Sequence, residues 1–283
     1  MAIPVNPAEA HPLRHVEDVE IDLLLEGVYR FFGDDFRGYD RALLKPRLLD
    51  LMRDCGLATL SGLQERVLHD EAARTALLRT LLMQPAAMFG DTGRFLALRA
   101  LAGPLLGSYA TPRVWLAECA SVEEVFSMAV LLEEEGIYDR TQLYVTSSNE
   151  TALREMKEGS FSRERLREYE KNYRLSGGRR TLADYCFDAG GQAIFQPRLQ
   201  DNITWAQYCL ATDTSFNEFQ LIVCRKGHDF GPALRRRAVS LFNDSLARFG
   251  VLNMDAASEL ESVPFSVNYK PISQEQGLYR RIC

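Results

Sequence analysis

Apolar positions in the first third of the chain recur at helical spacing. From Asp18 to Phe32, the residues Ile21, Leu24, Leu25, Val28, Tyr29 and Phe32 share one face, the rhythm of an amphipathic helix. Arg41 to Cys55 repeats the pattern, with Gly56 as a stop signal. Ser61 is placed to cap a third helix running to Leu68, with Glu65 in reach of a capping arrangement, and Asp70 to Met83 forms a fourth. Four short amphipathic helices with short connections predict a compact helical subdomain.

After about Phe89 the pattern changes. Short apolar runs at 113–117, 141–146, 203–207 and 219–224 alternate with helical stretches at 121–135, 149–159 and 233–249. Further strands are expected at 251–254, around Phe265-Ser266-Val267 and around Leu278-Tyr279-Arg280. Strands alternating with helices predict a parallel α/β sheet that binds ligands at the carboxyl ends of its strands. A less regular, charged and Tyr-rich insertion interrupts the alternation at about 160–200. The expected division is a disordered lead-in at 1–15, a helical domain at 16–88 and an α/β domain at 89–283.

Composition adds mainly exclusions. The 283 residues are 46% hydrophobic and 25% charged, with net charge −6, so nothing global favours nucleic acid or an anionic membrane as partner. The runs Arg235-Arg236-Arg237 and Arg179-Arg180 read as solvated surface. No stretch approaches the ~18 apolar residues that span a bilayer, and Met1 to Pro12 lacks the build of a secretory signal. Six scattered cysteines form no CxxC pair, which points to reduced thiols in a cytoplasmic protein and to no metal site.

Several stretches then carry a family resemblance that runs nearly end to end. Residues 31–39 (FFGDDFRGY), 127–140 (SMAVLLEEEGIYDR), Leu210-Ala211-Thr212-Asp213 with Ser215-Phe216-Asn217-Glu218-Phe219, and Cys224-Arg225 are together similar to the CheR family of chemotaxis-receptor glutamate methyltransferases. Leu278-Tyr279-Arg280-Arg281-Ile282 resembles one branch of it. The resemblance implies a Rossmann-like domain for S-adenosylmethionine (SAM) with a small inserted subdomain, preceded by an all-α N-terminal subdomain.

The positions that the resemblance assigns to SAM and to catalysis are altered. Where the family pattern is close to GCSTGEE, the chain reads Glu118-Cys119-Ala120-Ser121-Val122-Glu123-Glu124. Both glycines are replaced, and Val122 is expected to obstruct a left-handed turn. Glu123 and Glu124 keep the acidic pair, which would equally suit a helix N-terminus. Ser147 stands in place of the aspartate that accepts from the ribose hydroxyls, and Cys209, before Leu210, in place of the adenine-reading asparagine. A hydroxyl and a thiol replace those groups poorly. On the catalytic side Gly90 follows Phe89 where an arginine belongs, and CRNVxIYF becomes Cys224-Arg225-Lys226-Gly227-His228-Asp229-Phe230, with Phe230 at the tyrosine position. Pro46 is expected to end or kink the second helix, or to begin its second half, and the basic character that would hold an acidic receptor segment there is diluted.

The degenerate cleft positions are thus Glu118, Val122, Glu124, Ser147, Cys209, Leu210, Arg225 and Lys226. The expected function is a non-catalytic pseudo-methyltransferase without a cofactor, binding a protein partner in bacterial signalling. The alternative is an active SAM-dependent protein carboxyl methyltransferase. A third possibility is a new acid–base site built from Lys226, His228, Asp229 and Glu118.

Overall fold

The computed structural model describes residues 16–82, 86–254 and 267–283. The expected lead-in, Met83 at the end of the expected fourth helix and the 265–266 part of an expected strand lie outside the described residues. The chain divides into a helical unit that ends at Leu81 and excludes Gly38–Asp40, and a second unit of Gly38–Asp40 with Leu82–Cys283.

The helical unit holds α1 (Val16–Phe32), α2 (Arg41–Asp54), α3 (Leu60–His69) and most of α4 (Glu71–Leu82). Ile21, Leu24, Leu25 and Val28 are buried, as the spacing predicts. Two details differ from expectation. Helix α2 runs on through Pro46. The cap of α3 is Thr59, in extended backbone, whose hydroxyl accepts from Gly62 N; the Ser61 hydroxyl donates instead to Glu20, at 2.6 Å.

The second unit opens with α5 (Thr92–Leu106), which the periodicity does not predict. Arg94, Phe95, Leu98, Arg99, Ala102 and Leu106 are all buried along it, so too little polar contrast remains to reveal a helix. Then come β1 (Arg113–Leu116), α6 (Val122–Glu134), β2 (Gln142–Ser147) and α7 (Glu150–Glu158). The insertion is more regular than its sequence suggests. It contains β3 (Ser160–Ser162), α8 (Leu166–Leu175), β4 (Cys186–Ala189) and β5 (Gln192–Phe195), and its strands form a small antiparallel sheet in the order β3-β5-β4. The chain closes with β6 (Ile203–Gln207), β7 (Phe219–Cys224), α9 (Pro232–Ser245), β8 (Leu246–Met254), β9 (Tyr269–Ser273) and β10 (Leu278–Arg281).

The main sheet has the order β6-β2-β1-β7-β8-β10-β9. The first five strands are parallel, but β10 runs antiparallel to both β8 and β9, so the sheet is mixed rather than wholly parallel. Helix α9 stops four residues before the expected end, because 246–249 join β8 and Leu246 pairs with Phe219. Val114, Trp115, Leu116, Leu143, Val145, Ile222 and Val223 are buried to 1% exposure or less. That apolar centre sets the ends of β1, β2 and β7 as a rigid rim. Among the described residues, no helix is long and apolar enough to cross a membrane.

Candidate cofactor cleft

The rim is formed by the residues that follow β1, β2 and β7. Beyond Leu116, Ala117 N still bonds to Val223 O and Cys119 N to Thr146 O, which holds the turn between the two neighbouring strands. Between them Glu118 adopts φ +50, a region that costs a side-chain-bearing residue roughly 1–2 kcal/mol. The left-handed position is therefore the first glycine site of the motif, not the second. Val122 is simply the first residue of α6, behind the Ser121 cap, and packs partly against the core.

The Glu118 side chain is 4% exposed. Its Oε1 accepts from Ser148 Oγ at 2.6 Å and from Tyr39 OH at 3.4 Å. Burial pushes its carboxyl above the ordinary range, against the Ser148 hydrogen bond, the charge of Lys226 and Tyr39. Burial, and then the neighbouring Glu118 charge, raise the Tyr39 phenol well above its usual range. Phe230 is fully buried and meets the Tyr39 ring edge-on, with centroids 5.7 Å apart. The hydroxyl missing at position 230 is thus matched by a nearby one on Tyr39, and that one is directed at Glu118.

At the end of β2, Ser147 is fully buried and its Oγ accepts from Asn149 N at 3.4 Å. Asn149 caps α7 by accepting from Ala152 N at 2.7 Å. Cys209 sits in a turn, its N bonded to Asp213 Oδ2 and its carbonyl to Thr212 N and Asp213 N. Leu210 is 3% exposed. Two arginines of the basic run also brace this region: the exposed Arg237 donates to Leu210 O and Asp213 O, and Arg235 to Phe230 O.

A cavity of about 380 Å³ opens beside this region, entirely within the second unit. Gly90, Glu124, Arg225 and Lys226 line it, as do Asp91, Arg94 and His228; Glu118, Val122, Ser147, Cys209 and Leu210 do not. The sequence-predicted positions thus fall into two groups, one around the cavity and one packed away from it. Asp91 Oδ2 lies 3.3 Å from Arg225 Nη1 and 3.9 Å from Arg94 Nε. Arg94 Nη1 reaches Asn253 Oδ1 at 3.4 Å. The Lys226 ammonium is buried and donates to Leu82 O.

Glu123 and Glu124 have separate fates. Glu123 accepts from Tyr169 OH at 2.5 Å and Arg165 Nη1 at 3.1 Å, so the insertion consumes it. Glu124 faces the cavity and accepts from the buried Cys119 thiol at 3.6 Å. The insertion also braces the cavity wall, through Arg165 to Ala86 O and Asn172 to Met88 O. Next to that wall Phe89 holds φ +51, its N bonded to Ser127 Oγ at 3.1 Å. Strained backbone of this kind concentrates at sites that bind or act.

His228 is placed beside Asp229, with Nε2 3.4 Å from Oδ1. Its Nδ1 is 3.1 Å from Arg225 O. His228 thus sits at the cavity between the Arg225 carbonyl and the Asp229 carboxylate. Periodicity and motif spacing did not mark Tyr39, Ser148, Asp91 or Arg94 as site residues. Arg94 lies in the first turn of α5, behind the Asp91 cap.

Comparison with known proteins agrees with this architecture. The family description "CheR methyltransferase, all-alpha domain" matches residues 20–82, and "CheR methyltransferase, SAM binding domain" matches residues 93–270. A Pseudomonas putida protein named Cher3 is 42% identical over 265 residues, covering 93% of this chain and 97% of that protein. A Listeria innocua protein named "Chemotaxis protein methyltransferase" is 24% identical over 250 residues, covering 87% of this chain and 92% of its own length. Among solved structures, the glycopeptide N-methyltransferase MtfA complexed with SAM aligns at TM-score 0.35 and 14% identity, over 70% of this chain and 68% of that one. With both domain descriptions matched in order and the relative from Pseudomonas putida aligned almost end to end, the chain belongs to the CheR methyltransferase family.

Proposed function

We propose that this member of the CheR family is a pseudo-methyltransferase: a non-catalytic binding or regulatory module in bacterial signalling, working in the cytoplasm on a protein partner. The observation that carries this reading is Glu118. Its side chain stands where the family pattern has glycine, is buried, and is already bonded to Ser148 and Tyr39. A ribose diol needs a free carboxylate near the end of β2. Ser147 offers a hydroxyl turned to its own backbone, and Glu118 is committed internally. Each lost charge-assisted bond removes roughly 1.5–3 kcal/mol. The residues present therefore do not fit SAM.

Recognition in the helical unit is also retuned. Arg41 pairs with Asp22 at 2.9 Å, and Lys45 with Glu17 and Asp18 at 2.8 Å each. With these cations held by α1, α2 presents less positive charge to an acidic partner segment. A partner in signalling is supported by the name of the Listeria innocua relative.

Calorimetric titration with SAM and with S-adenosylhomocysteine tests the proposal. No binding tighter than about 50 µM, roughly −6 kcal/mol, is expected; saturable binding below that value would contradict it. The competing reading, an active SAM-dependent protein carboxyl methyltransferase, rests on the matched SAM-binding domain and on a carboxylate, that of Glu118, lying 2.6 Å from Ser148 at the end of β2. It predicts methyl transfer from radiolabelled SAM to a protein acceptor.

A further inference from the structure

We propose that the cavity beside Gly90 binds a small, free organic monocarboxylate, its charge taken by Arg225 and Lys226 and its body by the apolar part of the wall. The proposal rests on the non-catalytic reading above and names a ligand class for the part of the cleft that stays open. The lining carries three permanent cations, Arg94, Arg225 and Lys226, against two carboxylates, Asp91 and Glu124. One positive charge is in excess there, in a chain whose overall charge is −6. A concave wall with an excess of one sign concentrates ions of the other. Helices α5 and α6 add to that sign. Both begin at the cavity, with their caps Asp91 and Ser121 in its lining, and a helix N-terminus carries partial positive charge.

Two of the cations are fixed in place by neutral oxygens. Lys226, 8% exposed, donates to Leu82 O, and Arg94, 5% exposed, reaches Asn253 Oδ1 at 3.4 Å. Asn253 is in turn oriented by donating to Gln276 O and Gly277 O. Such bonds orient a cation without cancelling its charge. Arg225 keeps 32% of its side chain exposed and so can be reached from solvent. The sequence points the same way. Glycine stands at 90 where the family pattern has arginine, and lysine at 226 where it has asparagine, and both positions line this one cavity. Its cationic character is kept by a different residue.

The rest of the lining sets the kind of anion. Ser147, Cys209 and Leu210, at the ribose and adenine positions, do not line the cavity, so these positions offer a nucleoside no hold there. Leu82, Ala86, Ala87, Phe95 and Ala120 supply an apolar wall, which suits a hydrocarbon body and wastes contact on inorganic phosphate. A single excess charge is neutralised by a monoanion, whereas a second carboxylate would meet Asp91 and Glu124.

The test titrates sodium butyrate and sodium benzoate into the full chain at constant ionic strength, followed by amide ¹H–¹⁵N spectra. At least one acid is expected to give saturable shifts at Gly90 and Ser121 with Kd below about 5 mM, and the matching amide, butyramide or benzamide, to bind at least about tenfold more weakly. Succinate and inorganic phosphate should also bind more weakly. R225Q, at a partly exposed site, should weaken the acid at least about tenfold, as should K226Q if it folds. No saturation by either acid up to about 20 mM, equal binding of the amides or of phosphate, or full affinity in R225Q would each overturn the proposal. The two readings fail separately. Lost acid binding removes this site and leaves the non-catalytic reading, whereas tight S-adenosylhomocysteine binding removes that reading by itself.

Discussion

The two sides of the cleft are held in opposite ways. Around the ends of β1 and β2, Glu118, Ser147, Ser148 and Tyr39 are knitted to one another or to adjacent backbone and do not line the cavity beside Gly90. Around Gly90, Glu124 and Arg225 a cavity of about 380 Å³ persists, within the size range of about 300–1,000 Å³ typical of small-molecule pockets. The first side rests on Trp115, whose ring lies among Tyr208, Phe216, Phe219 and Phe242 and whose Nε1 donates to Thr146 Oγ1 at 2.8 Å. The second side is braced by the insertion at Ala86 and Met88. A binding cleft can therefore be closed on one side by internal bonds while the other keeps its shape, because different elements support each.

This contrast predicts that changes on the closed side cost stability and that changes on the open side do not. The largest effect is expected from Trp115→Ala, which should lose about 3–5 kcal/mol on denaturant unfolding, the usual cost of emptying a fully buried large aromatic site. Ser147→Asp comes next. It places a second carboxylate in a fully buried position near Glu118 and should cost at least about 2 kcal/mol; a stable Asp variant would show that the closed side is looser than described. Ser148→Ala removes the shorter donor to Glu118 and should cost roughly 1.5–3 kcal/mol, read from the same unfolding curves. Arg225→Ala removes a partly exposed ion pair with Asp91 and should shift stability by about 0.5 kcal/mol or less. An Arg225 effect as large as that of Ser148 would erase the distinction between the two sides.

Much of the fold was legible in the chain because its strands are short apolar runs and its outer helices have one apolar face. Helix α5 was not legible, since apolar and arginine residues alike are buried along it. Leu246 to Phe249 continue the helical spacing of α9, yet pairing with β7 and the left-handed Phe249, at φ +65, turn them into strand. At the site, sequence reasoning identified the replaced glycines but assigned the left-handed turn to Val122 rather than Glu118. Which of two replaced glycines bears a positive φ depends on where α6 begins, and Ser121 sets that boundary by capping Glu124 N. The convergence of Tyr39 and Ser148 on Glu118 depends on side-chain paths across 79 and 30 residues of separation, which local pattern does not encode.

Of the measurements open, one tests the central claim most directly: parallel calorimetric titration of S-adenosylhomocysteine into the wild-type chain and into the variant E118G/S147D/C209N/K226N. The closed side predicts no binding tighter than about 50 µM for the wild type and measurable binding once the four positions are reopened. Tight, saturable binding by the wild-type chain would contradict it.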